Sequence, residues 1–239
     1  MSILPQGLIA PVTHLARQCR EALLPGTCLL CGGDAGKHLL CPDCHAELPA
    51  APAIHCPQCA EPTTHGERCG ACLKEPPYFD RTVALWRYDF PVDRIIHALK
   101  YQHRISIAGW LGQSIAVHLN ADDQWLIPMP LHPARLRERG FNQALEIARA
   151  TARQLQLPML GNCLARQRPT PPQAELTPPE RRRNVRGAFA CNADLSGRHI
   201  ILVDDVMTTG ASVGECARVL KLHGAREITV AVAARALKH

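Results

Sequence analysis

The chain has 239 residues, 46% of them hydrophobic and only 4% aromatic, with 12 cysteines and a formal net charge of +6. That length holds one full α/β domain plus a smaller module. The mild basic balance (pI about 8.8) suits polyanionic ligands, phosphorylated small molecules or nucleic acid, and no apolar run reaches membrane-spanning length, so membrane insertion is not expected.

Residues 1–24 lack a charged n-region and a long apolar h-region, so they do not read as a signal peptide. They read as a short amphipathic helix, roughly Leu8 to Leu23, broken near Pro11 and Pro25. With no export signal, a cytoplasmic location is expected, and the cysteines are expected to be reduced thiols or metal ligands rather than disulfides.

Residues 25–77 form a cysteine module. Four Cys-x-x-Cys pairs occur in it: Cys28/Cys31, Cys41/Cys44, Cys56/Cys59 and Cys69/Cys72. One pair makes a knuckle that puts two thiolates on one ion, and two knuckles complete a tetrahedral four-cysteine site, so the spacing points to structural zinc, one ion or two. Three pairings are open. Sequential pairing gives two consecutive ribbons, cross-bracing gives interleaved sites, and the first and third pairs sharing one ion leaves the others empty. Sequential pairing is preferred, because both halves repeat Cys-x-x-Cys, nine residues, Cys-x-x-Cys. The segment is too poor in large apolar residues to fold unaided, so metal would supply its folding energy. His38, His45, His55 and His65 are expected to be solvated, and Cys19, Cys163, Cys191 and Cys216 to be ordinary buried thiols.

Pro76-Pro77 marks a boundary, and residues 78–239 alternate strand and helix patterns. Thr82 to Tyr88 reads as a strand, Asp93 to Lys100 as a short amphipathic helix, and Ile105 to Leu119 as a second helix. Trp125 to Met129 is a strand running into Pro128-Met129-Pro130-Leu131-His132, and Phe141 to Leu155 a long helix. Ile200 to Val203 and Ile228 to Val232 are buried strands flanking a helix from Val213 to Leu222. Such alternation predicts a mostly parallel, helix-covered sheet with ligands beyond the carboxyl ends of its strands, so the exits at Pro128 and Asp204 are two edges of one pocket. Residues 166–189 carry Arg166, Arg168, Arg181, Arg182, Arg183 and Arg186, and prolines at 169, 171, 172, 178 and 179 are expected to prevent regular structure for much of it. It reads as a basic lid for a pyrophosphate group, or as a solvated basic loop.

The run HIILVDDVMTTGASV, residues 199–213, is the most informative. A buried strand ends at two adjacent carboxylates, Asp204 and Asp205, and a turn of small residues leads into a helix. Backbone N–H groups at a helix start bind phosphate, and Thr208, Thr209 and Ser212 add hydroxyls. Gly210 lets the backbone approach closely. The carboxylates can accept hydrogen bonds from vicinal ribose hydroxyls and face positive charge on a sugar ring. No Gly-Lys-Ser/Thr is present, which excludes a P-loop. Gly210-Ala211-Ser212-Val213-Gly214 matches the Gly-x-Ser-x-Gly elbow of hydrolases, but the strand is expected to end too early and no Asp follows Ser212.

The run resembles the signature with which type I phosphoribosyltransferases bind 5-phosphoribosyl 1-pyrophosphate (PRPP). By that likeness Asp204 and Asp205 hold the ribose hydroxyls, and Val206, Met207, Thr208, Thr209, Gly210, Ala211 and Ser212 form the PRPP loop, its Thr208 to Ser212 backbone holding the 5′-phosphate. The whole chain resembles the competence protein F (ComF) family, also called GntX-like or amidophosphoribosyltransferase-like. The carrying segments are the cysteine knuckles, ALKYQHR at 98–104, PMPLHPARLRERGFNQA at 128–144, the arginine-rich segment and the PRPP run. The resemblance implies a type I phosphoribosyltransferase fold behind an N-terminal double zinc ribbon. It also implies that Pro128, Met129, Pro130, Leu131 and His132 form the pyrophosphate loop, that Arg166 to Arg186 form the flexible loop, and that Arg139, Asn142 and Gln143 face an acceptor. PRPP with Mg²⁺ is the implied ligand. Where many relatives have Ser/Thr-Thr, this run ends Ala211-Ser212, which keeps the hydroxyl.

Two function classes follow. The first is a PRPP-binding factor in natural competence that handles incoming single-stranded DNA in the cytoplasm, alongside other competence proteins. The alternative is an active phosphoribosyltransferase of nucleotide metabolism, with Asp204 and Asp205 as catalytic residues that stabilise a ribosyl cation. The sequence shows no clear acceptor pocket, so catalysis does not follow from binding. Stacking aromatics near the basic stretches are sparse, Phe141 and Phe189 alone.

Overall fold

The computed structural model describes residues 26–120, 124–168 and 178–237. The expected helix at Leu8 to Leu23 and Cys19 lie outside the described residues. The chain divides into two compact units, Met1–Leu48 and Pro49–His239.

The first unit holds strands β1 (Gly26–Thr27) and β2 (Asp34–Gly36), which pair antiparallel, and helix α1 (Pro42–Ala46). The second unit opens with helix α2 (Gly70–Lys74) and continues as β3 (Arg81–Arg87), α3 (Val92–Tyr101), α4 (Ser106–Ala116), β4 (Gln124–Pro128), α5 (Pro133–Arg139) and α6 (Gln143–Leu155). It ends with β5 (Leu164–Arg166), α7 (Pro178–Val185), β6 (Phe189–Cys191), β7 (His199–Met207), α8 (Ala211–Leu222) and β8 (Glu227–Arg235).

Four strands make a parallel sheet in the order β3-β8-β7-β4. Its central strands are apolar on both faces. Ile200 to Val203 and Ile228 to Ala234 are buried without alternation, apart from Thr229, as a sheet covered on both sides requires. All four strands run the same way, so their carboxyl ends share one edge, and Pro128 and Asp204 both reach it.

Three features depart from the sequence reading. Strand β7 does not stop at Val203 but runs through the acidic pair to Met207, because Asp204 pairs in register with Val232 and Met207 with Arg235. The expected helix Phe141 to Leu155 forms from Gln143, and a short helix not read from the sequence, α5, precedes it. His132 caps α5 by accepting from Ala134 N (3.2 Å), Gly140 ends it at φ +76°, and Asn142 caps α6 by accepting from Ala144 N (3.1 Å). The basic segment is not irregular throughout. Arg166 lies on β5, which pairs antiparallel with β6, and residues 178–185 are helical. Pro178 and Pro179 open that helix rather than break it, since an N-terminal proline lacks only an N–H that had no partner there. The stretch 169–177 and the side chains of Arg181 and Arg182 lie outside the described residues.

Helices α4 and α6 cross at Gly112. A Cβ there would lie 2.5 Å from Ala150 Cβ and 2.5 Å from Ile147 O, and Thr151 Oγ1 donates to Gly112 O (3.1 Å). Gly109, on the same helix, has nothing within 4 Å. Gly112→Ala should therefore destabilise the protein by about 1–3 kcal/mol through overpacking, whereas Gly109→Ala should be neutral or stabilise by about 0.5–1 kcal/mol. Denaturant midpoints of the two variants against the parent read the difference.

Candidate functional site

At the sheet's carboxyl edge a cleft of about 120 Å³ is lined by Lys100, Met129 to Leu131, Arg139, Asn142 to Ala144, Arg166, Asp204, Asp205 and Ser212. It gathers residues from α3, the β4 exit, α5, α6, β5, β7 and α8. A wider open depression of about 510 Å³, lined by residues 192–196 and 222–224, lies at the amino ends of β7 and β8 and holds no comparable charge. The cleft is the candidate site, because its polar groups converge.

The acidic pair is desolvated. Asp205 is 6% exposed and its backbone N–H donates to Asp204 Oδ1 (2.9 Å), while Val206 N–H donates to Asp205 Oδ1 (2.8 Å). Burial, and next the charge of Asp205, push the Asp204 carboxyl well above the usual carboxylate range; Lys100 opposes them. Lys100 Nζ stands 2.7 Å from Asp205 Oδ2, an ion pair by distance whose alignment is not that of a hydrogen bond. Burial alone would depress Lys100, but the combined attraction of Asp205 and Asp204 outweighs it and raises the ammonium.

The β7 strand leaves the sheet through Thr208 and Thr209. Gly210 turns the chain at φ +76°, a left-handed conformation that favours glycine, and α8 begins at Ala211 with no side-chain cap from Gly210. Ala211 N–H reaches Thr209 Oγ1 at 3.4 Å. The start of a 12-residue helix thus faces the cleft beside two carboxylates. Ser212 lies within the helix, one residue past its start, so the Gly-x-Ser-x-Gly elbow, which needs its Ser at the turn, does not form.

The remaining expected residues are placed as follows. Met129 N–H continues the sheet by donating to Val203 O (2.8 Å), and Asn142 Nδ2 donates to Met129 O (3.0 Å). Asn142, whose Oδ1 also caps α6, is thus a brace for the β4 exit, as His132 is for α5. Arg139 Nη1 donates to Gln143 Oε1 (3.2 Å), but Arg139 Nε and Gln143 Nε2, both buried, have no hydrogen-bond partner. Two unpaired donors facing a cleft are what an anionic or carbonyl-bearing ligand would satisfy. Arg166 lies over the Phe189 ring at 5.5 Å, and Arg168 Nη2 donates to Asn184 O and Arg186 O, which ties it to the end of α7.

Two features were missed in the sequence. Lys100, the cation of the acidic pair, is one. The other is an aromatic rim. Tyr101 is 52% exposed, carries Arg139 over its ring at 5.3 Å, and packs against His97 at 4.7 Å; His103 packs against Phe141 at 6.1 Å. Their signal was the segment ALKYQHR, which puts a lysine, a tyrosine and a histidine at a helix end.

The cysteines fall into two sets, Cys28, Cys31, Cys41, Cys44 and Cys56, Cys59, Cys69, Cys72, with the four sulfurs of each within 4.8 Å of one another. The pairing is sequential, and among the described residues no histidine joins either set. In each set a tight Cys-x-x-Cys turn faces a cysteine that starts a short helix, Cys41 for α1 and Cys69 for α2. Burial opposes ionisation of Cys28 and Cys56, but backbone N–H groups directed at their sulfurs outweigh it and bring them to about 6 and about 7. Four such thiols at tetrahedral spacing fit a zinc ion.

Residues 19–73 match the Double zinc ribbon domain family, and residues 142–238 match the Phosphoribosyl transferase domain family. DNA utilization protein YhgH of Escherichia coli O157:H7 is 34% identical over 219 residues, covering 87% of this chain and 96% of that protein. Competence protein F of Haemophilus influenzae is 31% identical over 227 residues, with the same coverage. The chain belongs to the competence protein F family. Its members' two signatures, the double ribbon and the phosphoribosyltransferase-type α/β sheet, correspond to the two sulfur clusters and to the sheet that carries the cleft. Among the described residues no helix is long and apolar enough to cross a membrane.

The Lys100 pair generates a prediction. Without Lys100, the raised Asp204 carboxyl rises further. A carboxyl whose folded pKa exceeds its unfolded value loses stability as pH climbs through that interval. Lys100→Met should therefore destabilise by about 3 kcal/mol at pH 8, as when one partner of a buried pair is removed, and by clearly less near pH 5. Urea unfolding at the two pH values measures it; an equal deficit at both would show that Lys100 acts through packing.

Proposed function

We propose that the cleft binds PRPP with Mg²⁺ and that this protein is a PRPP-binding factor of DNA utilization and competence, handling single-stranded DNA in the cytoplasm. The observation that carries this reading is the Asp204–Asp205 pair set beside the start of α8. Vicinal hydroxyls and a phosphate ester are the groups that such a neighbourhood accepts. The names of the relatives, DNA utilization protein and competence protein F, support the second half.

In this reading the carboxylates take the two ribose hydroxyls as acceptors, and Lys100 pairs with Asp205 and opposes the rise of Asp204. The Thr208 to Ser212 backbone and hydroxyls hold the 5′-phosphate. Leu131 and the β4 exit border the pyrophosphate, with Arg139 Nε, Gln143 and Arg166 as donors toward it. Arg168, Arg183 and Arg186 border it on the outer, basic side. Each four-cysteine set holds one structural zinc. The aromatic rim of Tyr101, His97, His103 and Phe141, with Arg139, supplies the stacking faces and charge that a flexible single strand needs.

Replacing both Asp204 and Asp205 with Asn keeps the shape and removes the charge. PRPP affinity should fall at least about 100-fold, since each hydrogen bond to a charged group is worth about 1.5–3 kcal/mol, and titration calorimetry with Mg²⁺ reads it. Parent-like binding by the double variant would put PRPP elsewhere. Pyrophosphate release from the parent on adding a base or ammonia would make the site catalytic.

For the rim, Tyr101→Ala should weaken single-stranded DNA by about 1–3 kcal/mol, the usual contribution of one stacked base, while duplex affinity stays level. Fluorescence anisotropy with a labelled oligonucleotide tests it, and an unchanged single-strand affinity would remove the rim from the interface.

A further inference from the structure

The second cysteine set and the phosphate turn share one buried cation. Arg235 ends β8, opposite Met207 in the register, and is 3% exposed. Its Nε donates to the carbonyl of Cys59 (2.9 Å), itself one of the four clustered thiol residues. Nη1 donates to the carbonyls of Met207 (3.1 Å), Thr208 and Ala236, and Nη2 pairs with the Glu61 carboxylate. Glu61 in turn accepts from Cys56 N through its own carbonyl (2.7 Å). One guanidinium thus holds the Cys56-x-x-Cys59 knuckle on one side and the first residue of the phosphate turn on the other.

A second link runs beside it. Gln58, inside that knuckle and 6% exposed, donates to Phe79 O (3.4 Å), and the Phe79 ring and Met207 sulfur lie beneath Gly210, where a Cβ would meet them at 4.0 and 3.7 Å. The turn therefore rests on groups that the knuckle positions.

We propose that metal binding at the Cys56, Cys59, Cys69, Cys72 set and anion binding at the Thr208 to Ser212 turn are coupled through Arg235, a positioning residue, so that losing the second metal weakens the phosphate site. The proposal rests on the reading of that turn as a phosphate cradle. The physical reason is the guanidinium's fixed fork of donors. If the knuckle opens, the Cys59 carbonyl and Glu61 carboxylate leave, and a buried cation without full partners must shift toward water. It then releases Met207 O and Thr208 O, which fix the entry to the turn. Coupling between binding sites is reciprocal, so a ligand on the turn must tighten the second metal by the same factor.

That reciprocity supplies a test on the whole protein carrying two zinc ions. Zinc release into a colorimetric chelator is followed with and without saturating PRPP–Mg²⁺, and the freed thiols are alkylated and located by mass spectrometry. At equilibrium with the chelator, PRPP should tighten zinc at Cys56, Cys59, Cys69 and Cys72 by about 5-fold or more, the usual range of coupling, and leave Cys28, Cys31, Cys41 and Cys44 unchanged. Glu61→Gln, which keeps an acceptor and preserves folding if Arg235→Gln does not, should retain both zinc ions and bind PRPP with reduced protection. Calorimetric PRPP binding with no protection of the second set, equal protection of both sets, or parent-like protection in Glu61→Gln would each overturn the coupling. Absence of PRPP binding in the parent would instead bring down the site reading, and the coupling with it.

Discussion

Two adjacent carboxylates at the end of a buried strand need a cation, and much of the second unit is arranged so that Lys100 reaches them. The pair sits where β7 leaves a sheet apolar on both faces. Leaving such charges without a partner costs several kcal/mol. The partner comes from α3, more than a hundred residues earlier in the chain, and α3 packs on α4, which lies against β3 and β8. The outer strand, its following helix and the central strand therefore serve one electrostatic requirement.

The sheet itself was legible. Ile200 to Val203 is an uninterrupted apolar run and Ile228 to Val232 is broken only by Thr229, as a two-sided parallel sheet demands, and Asp204-Asp205 before a small-residue turn marked the strand exit beside which the cleft lies. The cysteine repeat favoured sequential over cross-braced pairing, and the sulfurs gather in two sequential sets. Less legible were elements whose signals are polar or proline-rich. Helix α5 begins His132-Pro133 and ends at Gly140, a cap and stop pair readable in hindsight, and Pro178-Pro179 opens a helix by the same rule. What the sequence could not display was tertiary pairing. Lys100 with Asp205, and Arg235 with Cys59 and Thr208, join residues far apart, and no local pattern distinguishes them from surface charges.

The supply of aromatic rings near the site is richer in space than in sequence. Along the chain, only Phe141 and Phe189 stood near basic stretches. In the fold, the end of α3 brings Tyr101, His97 and His103 to Phe141 and Arg139. The mouth of the cleft and a cluster of aromatic rings are then one neighbourhood, with Arg139 lining the first and lying over Tyr101 in the second.

The basic segment between β5 and β6 is fastened at both feet. One foot is the hairpin that joins Leu164–Arg166 to Phe189–Cys191. The other is Glu215 on α8, which accepts from Gly187 N (2.8 Å) and is gripped by Arg218 at 2.9 and 2.7 Å. Those anchors tie both ends of the segment to the sheet-bearing unit, so chain added between them would leave the sheet untouched.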